Sequence, residues 1–180
     1  MKAESFAPIT FALHSIDINI ISACKYPLII SYKYPLFPNK ATLQKLAEAL
    51  DACRWLHNKL LERVNDTREN DIKLKTYDTQ NMIPSLKLEN PKLDLVYSKV
   101  LQMVNYTLWS NIKGLSASKK NGRKIGHVRF KGYGSYKTMN YNQSGFKLDR
   151  DHGRLHLSKI GDISAVSHDY YGIISFSINS

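Results

Sequence analysis

NKATLQKLAEALDACRWLHNKLLERVN, residues 39–65, is the stretch on which the fold turns. Leu43, Leu46, Leu50, Cys53, Leu56, Leu60 and Val64 recur three and four apart, so a helix gathers them into one apolar stripe. Pro38 closes the run before it, and Asn39 is placed to cap the first turn. The spacing predicts a helix from Lys40 to about Asn65. Trp55 borders the stripe and is read as packing. Arg54 and Asn58, four apart, share a polar side, where a phosphate contact and an ordinary wet surface are both open readings.

Upstream, LIISYKYPLF (residues 28–37) has the β-branched and aromatic character of a strand. Pro35 removes a donor, so that strand should lie at an edge or end early. In residues 1–27, Ile16, Ile18 and Ile20 alternate with Asp17 and Asn19, which hints at a strand without turn chemistry to anchor it. The segment is expected to be a tail. Its apolar run from Phe6 to Ile30 is interrupted by His14, Asp17, Asn19 and Lys25, so it does not read as a membrane span or a signal peptide.

Downstream, residues 66–75 should be a loop and 77–88 a short helix interrupted near Pro84. Pro91 opens a second long helix, with Leu93, Val96, Val100, Met103, Val104, Leu108 and Ile112 on one face and Gly114 as its stop. Two such stripes can bury each other. After Gly114 the period changes. Residues 116–126 read as a basic loop turning at Asn121-Gly122. Strands are expected over 127–131, 135–141, 145–148, 154–157 and 172–178, with 146–157 a hairpin. The fold class is α+β: strands on either side of a helical insertion spanning 40–116.

Of 180 residues, 26 are Lys or Arg and 15 Asp or Glu, a net charge of +11. Residues 113–159 hold twelve of the cations and two of the acids, so most of the excess sits in a quarter of the chain. Within it, KKNGRKIGHVRFKGYGSYKTMNYNQSGFKL (119–148) alternates cations with aromatics. Cations suit phosphates and flat rings suit unstacked bases, so a nucleic acid is the expected partner. No basic amphipathic helix accompanies the charge, which argues against a membrane surface. Two cysteines, Cys24 and Cys53, are too few for a disulfide framework, and free thiols in the cytoplasm are expected.

Three of these stretches resemble the N-terminal part of TnpB, the OrfB-type protein of small insertion sequences. They are residues 31–64, with Arg54 and Asn58 at the family's Arg and Asn; residues 86–115; and residues 125–148, which carry Gly-x-x-Arg-Phe-Lys as Gly126 to Lys131. The resemblance covers about 28–165. It implies a wedge-like β-barrel, of which 28–39 is the first strand and 117–180 the remainder, with a helical recognition insertion. It also implies a hold on guide RNA and target DNA, the family's cutting being done by a following RuvC-like domain. Pro35, the pair His127-Val128 and AVSHDYY at 165–171 depart from the family pattern.

The residues expected to touch nucleic acid are Lys33, Arg54, Asn58, Lys124, Arg129, Lys131 and Lys137 on the backbone, with Tyr34, Tyr136 and Tyr141 stacking. No catalytic residue, metal, cofactor or small-molecule substrate is expected. His152 and His156 flank a turn rather than a helix face, and Cys53, although four residues from His57, belongs to the apolar stripe. The alternatives are a complete transposase-type nuclease and a helix-turn-helix DNA-binding regulator built on 40–115. A further possibility is a fragment that barely folds, its sheet ending in an unpaired edge near 174–178.

Overall fold

In the computed structural model the described residues are 15–21, 29–34, 36–141, 144–149, 151–165 and 173–179, with the backbone alone for 15–21, 29–34, 165 and 173–179. The long periodic stretch forms helix α1, Lys40–Glu69. The Asn39 side chain accepts a hydrogen bond from the Thr42 N–H at 2.9 Å, the expected cap. Thirty residues at 1.5 Å each make a rod of about 45 Å. Its buried surface is wider than one stripe: Ala49, Ala52, His57 and Leu61 join it, while Leu43 and Leu50 are half-buried. The reason is that α1 is covered from two directions, by other helices and by a sheet.

Two short helices follow, α2 (Thr76–Asn81) and α3 (Ile83–Glu89). The expected interruption falls at Met82, and Pro84 sits in the first turn of α3, where its missing N–H is not needed. Pro91–Leu95 form one 3-10 turn, and α4 runs Ser98–Lys120. Gly114 does not stop α4, as the sequence had suggested. The stop is Gly122, at φ +72°, where the Gly122 and Arg123 N–H groups bond back to the Lys119 and Ser118 carbonyls. Residues 116–120, expected in the basic loop, are therefore helical.

A buried polar cluster joins α2 to α4. Asn105, fully buried, accepts from the Thr79 hydroxyl at 2.7 Å and donates to the Thr76 carbonyl and the Gln80 amide oxygen, each at 3.0 Å. Trp109 Nε1 donates to the same Thr79 hydroxyl at 2.7 Å. With every polar atom matched, the cluster fixes how the helices register.

Eight strands complete the fold: β1 (Ser15–Ile21), β2 (Ile29–Tyr34), β3 (Leu36–Phe37), β4 (Asn140–Tyr141), β5 (Phe146–Asp149), β6 (Arg154–Leu157), β7 (Gly161–Ala165) and β8 (Ile173–Asn179). They make two four-stranded sheets, ordered β2-β1-β8-β4 and β3-β7-β6-β5, with antiparallel neighbours. The chain passes from one sheet to the other four times, after β2, β3, β4 and β7. The expected hairpin is present, with Phe146 opposite Leu157 and Leu148 opposite Leu155. Leu36, Met139, Tyr141, Leu155, Leu157 and Ile163 join the helical side chains in one core cluster. The α+β class stands.

Several expectations are corrected. Residues 15–21 do not belong to a tail: β1 pairs Ile16 with Tyr34 of β2 and with Ile178 of β8, and so lies inside its sheet. The rest of 1–27, Cys24 included, lies outside the described residues, as do Pro35 and 166–171. β8 is paired on both sides, by β1 and β4, so it is not an open edge. Residues 127–131 are not a strand, and of 135–141 only Asn140–Tyr141 pairs. The backbones of Arg129 and Lys131 bond to α1 instead of to a ladder.

Candidate nucleic-acid interface

Residues 123–139 run as irregular extended chain between α4 and β4, and α1 holds them there. Asn58 grips the backbone of Lys131 from both sides: its amide nitrogen donates to the Lys131 carbonyl at 2.9 Å, and its amide oxygen accepts from the Lys131 N–H at 2.8 Å. The adjacent residue, His57, shares a hydrogen bond with the backbone of Arg129. Val128 and Tyr136 are partly buried against the core, and Met139 is fully buried. The segment is therefore pinned by main-chain bonds and apolar anchors, which leaves its charged side chains free.

Those side chains all face water. Arg123, Lys124, Arg129, Lys131 and Lys137 are exposed, and no ion pair engages any of them among the described residues. No acid occurs between 119 and 137. An uncompensated row of this kind carries a field that attracts polyanions. Of the expected contacts, Lys124, Arg129, Lys131 and Lys137 are exposed and unmatched by an ion pair among the described residues.

The other expected contacts fare differently. Arg54 is bonded to Asp51 at 2.7 Å, so its charge is already matched on α1. Asn58 spends its amide on Lys131 and has a positioning role, not an independent reach to a ligand. Lys33 and Tyr34 occupy β2, an edge strand, opposite Asp17 and Ile16; their side chains lie outside the description.

Tyr141 cannot stack on a base in this fold. It is fully buried, its hydroxyl donates to the Ser158 carbonyl at 2.9 Å, and its ring lies parallel to Tyr97 with centroids 6.0 Å apart. Tyr136 is half-buried beside His57, at 6.0 Å between centroids. Burial, with a smaller contribution from Cys53, pushes both phenols well above their ordinary range.

The most exposed aromatic of the segment is Tyr133, at 88%, and it is absent from the expected contacts. It stands at the tip of a turn in which the Ser135 N–H donates to the Gly132 carbonyl at 3.1 Å and Gly134 takes φ +69°. The Gly-Tyr-Gly spacing was the available signal, because glycines on both sides favour a turn that holds the ring clear of the core. Phe130, 58% exposed, lies nearby in a shallow groove of about 250 Å³ shared with Arg54, Trp55, Asn58, Lys59 and Glu62.

Beneath the clamp, burial holds the His57 imidazole below its ordinary value; the Arg129 backbone bond opposes this, and the Lys131 charge adds to it. Its Nε2 has no partner among the described residues. Cys53 is buried and its thiol is pushed up to about 12 by desolvation, so it is inert as a nucleophile at neutral pH. His152 and His156 turn to different acids, Asp149 at 2.9 Å and Asp162 at 2.6 Å. Among the described residues no three His, Cys, Asp or Glu side chains gather as a metal site, and no helix is long and apolar enough to cross a membrane.

Compared with family models, residues 28–73 match the helix-turn-helix domain of the OrfB/IS605 type. That span covers β2, β3, α1 and the loop after it, and so includes Asn58 and His57. No curated protein matches the chain.

Proposed function

Starting from an OrfB/IS605-type N-terminal region at residues 28–73, we propose that this chain binds nucleic acid, both structured RNA and DNA, as the gripping part of a TnpB-like system. The two sheets, linked by four crossings of the chain, would be the wedge-like barrel and α1–α4 the recognition insertion. One observation carries the reading: five exposed, unpaired cations lie on a segment that α1 holds by its main chain. A backbone fixed in this way presents charge at little further ordering cost, which suits recognition of a sugar–phosphate polymer by shape. Tyr133 adds a ring for an unstacked base.

The proposed role is binding without cutting. Three of the described carboxylates are engaged locally, Asp51 with Arg54, Asp94 with Lys87 and Glu62 with Lys59. Titrating the chain with a structured RNA and with duplex DNA across a salt series tests the proposal. Affinity should fall steeply with salt for both. Weak, salt-independent binding would overturn it, and strand cleavage by the isolated chain with magnesium would overturn the restriction to binding. The family match favours one alternative, in which the helices alone hold duplex DNA. In that case charge removal at Arg129 and Lys131 leaves duplex affinity unchanged.

A further inference from the structure

A second basic site lies away from the 123–139 segment, where the C-terminal ends of α1 and α4 diverge. They enclose a cleft of about 600 Å³, within the range of ligand-sized pockets. Its wall is aliphatic at Val64, Leu74, Ile112 and Ala117. Around it stand Arg68, Lys73, Lys113 and Lys120, all exposed, none ion-paired among the described residues, and no acid lines it.

Arg68 and Lys120 belong to the last turns of their helices, where cations answer the carbonyl ends. That reason does not extend to Lys73, which is in the loop, or to Lys113, which is about two turns short of the α4 terminus. Nor does it explain an apolar wall between charges. A nucleotide is a poor match. The only ring present is Trp109, 9% exposed with its N–H committed to Thr79, so it offers no stacking face. The Ser116 hydroxyl, the one neutral polar group in the lining, donates to the Ile112 carbonyl at 3.0 Å. Nothing is left to read a base edge. Aliphatic side chains flanked by carboxylates match the wall and the rim together.

We propose that this cleft docks an acidic protein segment that inserts an aliphatic side chain between α1 and α4 while its carboxylates meet Arg68, Lys73, Lys113 and Lys120. The site is separate from the nucleic-acid segment and does not depend on it.

The test is fluorescence anisotropy of the full chain with a labelled amphipathic peptide that has Leu on one face and Glu on the other. Binding should weaken at least tenfold when the Leu positions become Ser, and equally in the Lys113→Glu/Lys120→Glu variant. It should be unchanged in Arg129→Ala/Lys131→Ala. A Leu-free Glu peptide that binds as well reduces the cleft to a general polyanion attractor and overturns the proposal. So does a single-stranded oligonucleotide that displaces the peptide in a manner dependent on Lys113 and Lys120. Self-association of the unliganded chain that the double charge reversal abolishes would show the occupant to be a second copy, and would also overturn it. Circular dichroism of both variants should match the parent, since the substituted side chains are exposed.

Discussion

Replacing Asn58 with Ala separates the two jobs that a polar residue can do at a nucleic-acid surface. In the structure its amide makes two hydrogen bonds to the Lys131 backbone, at 2.8 and 2.9 Å. Each such bond is worth a net of about 0.5–1.5 kcal/mol. The site is partly open to water, which re-solvates the freed groups, so the lower part of the summed range applies, about 1–2 kcal/mol. The segment should then open locally more often, while Val128, Tyr136 and Met139 keep it attached. Hydrogen exchange of the Lys131 amide should accelerate by about 5- to 30-fold, and global stability should fall by no more than about the same 1–2 kcal/mol, less what Ala gains over Asn inside a helix. Affinity for structured RNA should fall by up to about tenfold, because a loosened segment has to be reordered on binding. The decisive reading is the salt dependence. Asn58 carries no charge, so the number of phosphates neutralised, and hence the slope of log affinity against log salt, should stay as it was. Arg129→Ala is the comparison: it should reduce that slope by about one while leaving Lys131 exchange alone. If Asn58→Ala leaves Lys131 exchange untouched, or reduces the slope as Arg129→Ala does, the clamp is not what holds the segment.

Three further outcomes follow from the packing. Gly145→Ala should destabilise the chain by about 2–3 kcal/mol in denaturant titrations, because Gly145 has φ +88° and a Cβ there would overlap the Tyr97 ring. Asn105→Ala should cost about 2–4 kcal/mol by the same measurement, since it strands the Thr79 hydroxyl and the Thr76 carbonyl in the interior. His57 has a folded-state pKa below its unfolded value, so the unfolded chain binds the proton more readily and stability should fall as pH drops below about 6.5. His57→Gln should flatten that part of the stability profile, and an unchanged profile would show that the loss comes from other groups.

The particular misreadings share a cause. Composition places the α4 stop at Gly114, yet nothing crowds that position and the helix tolerates it at about 1 kcal/mol; the true stop needs a residue at positive φ, which Gly122 supplies. Residues 127–131 alternate as a strand would, but the backbone of Lys131 is satisfied by Asn58 of α1 instead of by a neighbouring strand. Tyr136 and Tyr141 looked equivalent to Tyr133 as rings between cations. Their difference is only whether the chain points them at Tyr97 and His57 or out of a glycine turn.

Local chemistry determined what could be read in one dimension: the two long amphipathic helices, the Asn39 cap, the 146–157 hairpin and the gathering of positive charge after residue 113. Each depends on neighbours a few positions apart, and spacing along the chain expresses those directly. Which polar groups are spent internally is decided by contacts between distant residues, as between Asn58 and Lys131 or Thr79 and Asn105. Hydrogen bonds of that kind leave no periodic trace in the chain. Only the folded arrangement separates the cations and rings that remain available from those already used to hold the molecule together.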